Sequence, residues 1–139
     1  MFTPDRIAPC GLDCCLCEIA HLPEHPCPGC RSHGVDKPDF CADLCEIAHC
    51  ESIAALSTPY CDSCNRYPCE PILALEQRYA AMYPLRESPM GNLKAIREQG
   101  VAAFLNCHRR KWSCPDCGGI ISVHTGECVQ CHRRFPTQD

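Results

Sequence analysis

The amino-acid sequence predicts a small α+β fold in which bound metal replaces much of the hydrophobic core. Three observations carry that prediction. Seventeen of 139 residues are cysteine, most of them in close sets: Cys10/Cys14/Cys17, Cys27/Cys30, Cys41/Cys45/Cys50, Cys61/Cys64/Cys69 and Cys114/Cys117/Cys128/Cys131. Thiols two to four residues apart turn toward one ion, whereas a disulfide framework staples distant segments and needs no such clustering. Large apolar residues are sparse in the first half, too few for a deep core there, and ligated metal stabilises a small domain by on the order of ten kcal/mol. Helical periodicity, finally, is concentrated in the middle of the chain. The expected layout is a loop-rich zinc-knuckle module over 1–70, a helical bridge over 71–110 and a zinc ribbon over 111–139.

Within the first module the cysteines, prolines and glycines predict loops with one helical interruption, Cys41 to Leu56. There Leu44, Ile47, Ala48 and Ile53 recur at helical spacing, and Cys41 and Cys45 share a face. In the bridge, a helix from Pro71 to about Tyr83 carries Ile72, Leu75 and Tyr79 on one stripe, and Pro84 stops it. Ser88-Pro89 caps and opens the next helix, which carries Leu93 and Ile96 to Gly100. A short helix from Val101 to about Arg110 buries Ala102, Phe104 and Leu105.

The strongest motif is in the tail. Cys114-Pro-Asp-Cys117-Gly-Gly and Cys128-Val-Gln-Cys131 are two C-x-x-C knuckles joined by the strand-like Ile120 to Val123 and the turn Thr125-Gly126. Gly118 allows the backbone to curl so that amide hydrogens point at the thiolates. This is a ribbon-type four-cysteine zinc site. In the first half, Cys10, Cys14, Cys15, Cys17, Cys27, Cys30, Cys41, Cys45, Cys50, Cys61, Cys64 and Cys69 would fill three four-ligand sites, or two with spares. Cys15 adjoins Cys14, so one of the two points away. His33 and His49 are the candidate replacement ligands, although a histidine on a solvated surface is usually none.

A cysteine share this high in a short chain suggests a secreted disulfide scaffold unless the compartment is reducing. The segment Met1 to Asp5 has no basic region followed by an apolar stretch, no apolar run approaches membrane-spanning length, and the odd cysteine count leaves one thiol outside any all-disulfide scheme. These features predict a soluble cytoplasmic protein with no membrane association. Charge is uneven: residues 1–106 hold 8 Lys/Arg against 14 Asp/Glu, residues 107–139 hold 5 against 3. The anionic first part, made more so by four-thiolate zinc, is a poor nucleic-acid partner.

The run Ala8-Pro-Cys-Gly-Leu-Asp-Cys14-x-x-Cys17, Cys27-x-Gly-Cys30, Cys45-x4-Cys50 and Cys61-x-x-Cys64-x-x-Tyr-Pro-Cys69-Glu resembles the cysteine-rich domain-of-unknown-function family 3795. Its longer members add a helical Asn-Leu-x-x-Ile-Arg-Glu-x-Gly segment and a Trp-x-Cys-Pro-x-Cys-Gly-Gly ribbon, matched by Asn92 to Gly100 and Trp112 to Gly119. The resemblance implies a bacterial or archaeal, often anaerobic source and metal binding without an established activity. Cys15 and Cys107 look additional to the family pattern and are left out of the ligand set, and Cys131-His132 stands where a glycine would be usual.

Zinc has rivals. An iron–sulfur cluster in the N-terminal module, for electron transfer or redox sensing, satisfies the same thiols, although the C-x-x-C-x-x-C run of small ferredoxins is absent. Cys10-x3-Cys14-x2-Cys17 matches the cluster motif of radical S-adenosylmethionine enzymes only superficially, because that barrel needs on the order of 200 residues. Cys27-Pro-Gly-Cys30 lacks the strand-then-helix flanks of a catalytic dithiol. Asp13, Glu18, Glu46 and Glu70 form no recognisable acid/base pair and read mostly as solvated loop charges. Arg109, Arg110, Lys111 and Trp112, with Arg133, Arg134 and Phe135, offer a basic, aromatic flank for nucleic acid, weighed against a ribbon core closed by Trp112 and Phe135. The function expected is that of a zinc-binding interaction or adaptor module with an unidentified protein partner, not an enzyme.

Overall fold

The computed structural model describes residues 2–32 and 36–137. Its regular structure is three helices, α1 (Glu70–Ala81), α2 (Pro89–Gln99) and α3 (Val101–Trp112), with α2 packed against both others. α1 starts at Glu70, with Pro71 second, and buries Ile72 and Tyr79. It ends two residues before Tyr83, the last position expected. The start of α2 is as its sequence dictates: the Ser88 hydroxyl accepts from the Gly91 N–H at 2.9 Å, and Pro89 opens the first turn. Gly100, at φ +88°, closes α2 and leads directly into α3. The inward stripe of α3 is Phe104, Leu105, His108 and Trp112, while Ala102 is exposed, contrary to expectation. Large rings bury far more apolar area than a methyl group, so they set the helix rotation.

The expected helix over Cys41 to Leu56 does not form. A wide, π-type turn spans Phe40–Leu44, a 3₁₀ turn spans Glu51–Ala55, and Cys45 and Cys50 between them are extended. Of the apolar residues that suggested a helix, Ile47 is buried and Leu44 lies in solvent. One straight helix would set Cys41 and Cys45 on the same face; the break at Cys45 lets Cys41 lie beside Cys27 and Cys45 beside Cys10.

One apolar core crosses the three segments that the sequence suggested as modules. It joins Phe2, Ile7 and Leu16 to Phe104 and Trp112 and to Ile121 and Val123 of the tail. The Val123 N–H donates to the Leu16 carbonyl at 3.0 Å. A second cluster gathers Ala8, Ile47, Ile72 and Leu93 around Cys10 and Cys61. Gly11 lies at that seam with φ +97°; a Cβ there would stand 2.4 Å from the Pro89 carbonyl oxygen and 2.8 Å from Leu93 Cγ. The tail itself is built on isolated antiparallel bridges, Ser113 to Ile120, Ile121 to Cys128 and Glu127 to Arg134, in place of a continuous strand pair.

Asp13 is not a solvated loop charge. It is 2% exposed, its Oδ2 lies 3.2 Å from His108 Nδ1, its Oδ1 accepts from the Cys15 N–H, and its own N–H donates to Glu87 Oε2 at 2.8 Å. Asn92 Nδ2 bonds both Glu87 Oε2 and the Gly11 carbonyl, each at 2.9 Å. This buried network fastens the first loops onto α2 and α3. Burial pushes the Glu87 carboxyl up to about 8, against the opposing hydrogen bonds from Asp13 and Asn92. The folded protein therefore binds a proton that the unfolded chain releases at its ordinary 4.5. The contribution is full below that value and is lost as pH rises through about 8. Glu87→Gln retains an oxygen for both donors and has no proton to lose. The fall in unfolding midpoint across this window is expected to be shallower in the variant than in the wild type. Identical slopes would show that Glu87 is ionised throughout.

Candidate metal centres

Cys114, Cys117, Cys128 and Cys131 meet at one point, their sulfurs all within 4.8 Å of one another. Cys114 and Cys131 are 3.7 Å apart, Cys117 and Cys128 3.5 Å. A tetrahedral zinc with Zn–S bonds of about 2.3 Å sets its thiolates about 3.8 Å apart, so the donor set fits that ion. Backbone amides face the sulfurs as the knuckle pattern requires. Gly119 N–H points to Cys117 Sγ at 3.4 Å, and Gln130 and Cys131 N–H point to Cys128 Sγ at 3.4 and 3.5 Å. Gly118 takes φ +76°, and a Cβ on Gly119 would lie 2.9 Å from Cys128 Sγ. Burial opposes ionisation of Cys128, but these two amides and the adjacent thiols outweigh it and lower its pKa to about 7.

His132, directly after the last thiol of the quartet, adopts φ +62°. Left-handed backbone costs a side-chain-bearing residue about 1–2 kcal/mol. His132→Gly is expected to stabilise the protein by about 1 kcal/mol, raising the unfolding midpoint by roughly 3 °C. A lowered midpoint would mean that the imidazole contributes more than the strain removes.

The eleven first-half cysteines of the ligand set fall into three neighbourhoods, the first two overlapping, since Cys14 also lies near Cys27 and Cys41 near Cys30 and Cys45. Cys10, Cys14, Cys30 and Cys45 share the second apolar cluster, and the Cys30 N–H points to Cys14 Sγ at 3.4 Å. Burial holds the Cys10 thiol well above its ordinary range, with Cys30, Cys14 and Cys45 adding to the effect. Cys17, Cys27 and Cys41 form the second neighbourhood: burial raises Cys17 to about 11, and the other two thiols push it in the same direction. The third is Cys50, Cys61, Cys64 and Cys69, which line a common cavity. There burial, followed by Cys69, Cys50 and Cys64, raises Cys61 to about 12. A dication placed among such thiols reverses these shifts. No cysteine is in a disulfide among the described residues.

Cys15 turns into the main apolar core, and Cys107 is exposed on α3 beside Arg110, at 3.4 Å. His49 is exposed, and His33 lies outside the described residues. Sequence reasoning missed His124: its ring and the Glu18 carboxylate come within 4.8 Å of Cys17 Sγ. His124 Nδ1 is 3.2 Å from Glu18 Oε2 and its Nε2 is 2.8 Å from the Tyr79 hydroxyl. No local spacing signals a contact between residues so far apart in sequence.

The basic flank is engaged with its own neighbours. Arg133 pairs with Asp116 at 2.9 Å, Arg134 with Glu127 at 3.1 Å, and Arg109 bonds Asn106 at 3.0 Å. Lys111 Nζ lies 4.9 Å from the centre of the Trp112 ring, and Trp112 itself is 3% exposed. A separate polar cavity between α1, α2 and α3, lined by Glu76, Arg86, Glu87, His108 and Lys111 among others, has no cysteine in its wall.

Fold and site together define a small cysteine-rich chain with a tetra-cysteine centre that fits a metal ion. Among the described residues, no helix is long and apolar enough to cross a membrane. Comparison of the chain with protein-family models, with curated proteins and with solved structures finds no match.

Proposed function

We propose that the chain is a zinc-binding protein whose tail holds a structural ion, and that it works as an interaction or adaptor module, not as a catalyst. The supporting observation is the closed quartet of Cys114, Cys117, Cys128 and Cys131, with sulfurs spaced as a tetrahedral zinc spaces them and amides turned toward them. Four thiolates leave no open position for substrate or activated water, the arrangement of a structural site and not of a catalytic one. The resemblance to domain-of-unknown-function family 3795 agrees with this reading, as does an N-terminal half organised around thiols. Arg133 and Arg134, each paired with a carboxylate, favour the neutral reading of the basic flank over nucleic-acid binding.

Elemental analysis of protein purified without oxygen tests the reading. About one zinc per chain should depend on the tail quartet, disappearing in Cys114→Ala/Cys117→Ala. Zinc content unaffected by that double substitution would sink it.

A further inference from the structure

We propose that Cys50, Cys61, Cys64 and Cys69 hold a [4Fe–4S] cluster, so that the chain carries two chemically different centres. The inference rests on the reading of the first-half cysteines as metal ligands and specifies what one set of them binds.

The four thiols line a cavity of about 170 Å³ whose remaining walls include Ile53, Leu56, Tyr67 and Pro71. A single zinc ion draws its thiolates to about 3.8 Å, the spacing of the tail quartet, whereas the sulfurs of Cys50, Cys61, Cys64 and Cys69 do not all lie within 4.8 Å of one another. A cubane places iron and sulfide between its four thiolates, holds them farther apart and fills such a space. The apolar walls suit it as well. They exclude water from the sulfides, and limited solvent exposure is one of the levers that sets a cluster's potential.

The local backbone presents the ligands from separate directions. Cys61 opens a 3₁₀ turn, Cys61–Ser63, and the Cys64 N–H closes it onto the Cys61 carbonyl at 3.0 Å, so the C-x-x-C pair comes from one tight bend. Cys69 is the N-cap residue of the twelve-residue α1, where helix amides and dipole favour a negatively charged group. Cys50, in extended conformation, precedes the 3₁₀ turn Glu51–Ala55 that carries Ile53 of the same lining. Four thiolates around an oxidised cubane leave net negative charge. Arg66, held to Ser52 by a hydrogen bond from its guanidinium, sits in the same wall to oppose it.

The test is reconstitution of the full chain with ferrous iron and sulfide without oxygen, followed by iron, acid-labile sulfide and zinc analysis and visible spectroscopy. The wild type should take up about four iron and four sulfide more than Cys61→Ala/Cys64→Ala, while both retain the tail zinc. Because that double variant risks misfolding, Cys69→Ser, which retains an oxygen ligand, is the second arm. Its dithionite-reduced form should show an electron paramagnetic resonance signal shifted from that of the wild type. Iron and sulfide equal in wild type and variants, or one zinc lost from the double variant with no sulfide in either, overturns the cluster but leaves the metal reading standing. First-half thiols that bind neither metal and all react with a thiol reagent in the folded protein overturn both.

Discussion

Cys128→Ser is expected to destabilise the zinc-loaded protein by about 3–5 kcal/mol, lowering its unfolding midpoint by roughly 10 °C or more. Cys128 is fully buried, so its sulfur belongs to the main core as well as to the quartet. A serine oxygen is shorter, harder and far less acidic than a thiol, and it leaves the Gln130 and Cys131 amides facing a poorer acceptor. The damage reaches beyond the tail, because Ile121 and Val123 pack with Phe2 and Leu16. Thermal unfolding followed by circular dichroism, with zinc counted in the same samples, measures it. A variant that loses its zinc but unfolds at the wild-type temperature would show that metal contributes nothing to this fold.

Gly11→Ala should be almost as harmful, at about 3 kcal/mol or more, although it adds one methyl group. The position combines a left-handed backbone with a Cβ site 2.4 Å from a main-chain oxygen of α2, which has no rotamer by which to retreat. The Gly11 carbonyl also accepts from Asn92, so displacement pulls on the Asp13 and Glu87 network. Gly100→Ala is the control. It shares the positive φ but has nothing within 4 Å of its Cβ site, so only the cost of holding alanine at φ +88°, ψ 157°, about 1–3 kcal/mol, applies. Equal losses in the two variants would mean that the close approach to α2 is not maintained in solution.

How far these features were legible depends on how local their causes are. Helix α2 was readable nearly to the residue because Ser88, Pro89 and Gly100 encode its ends in their own covalent chemistry. The tail quartet was readable because C-x-x-C spacing is itself the geometry of a knuckle. The segment from Cys41 to Leu56 misled because its apolar period competes with thiols that need different directions, and the thiols prevail. Asp13 was misjudged because its partner His108 is 95 positions away, a pairing that no window of sequence contains. The same holds for His124 with Glu18. The three-way grouping of the first-half cysteines was hidden because neighbours in space, such as Cys14 and Cys30, come from different sets in sequence.

The bond from Val123 to the Leu16 carbonyl bears on how the protein is made. At about 5–20 residues per second, a ribosome needs roughly 5–20 s to travel from Leu16 to Val123. For that interval the early cysteines are in the cell without the partner that covers the core beneath them. Newly made chains therefore meet oxidants and loose metal ions before their final packing is available, and the order in which thiols are captured is a matter of timing as well as affinity.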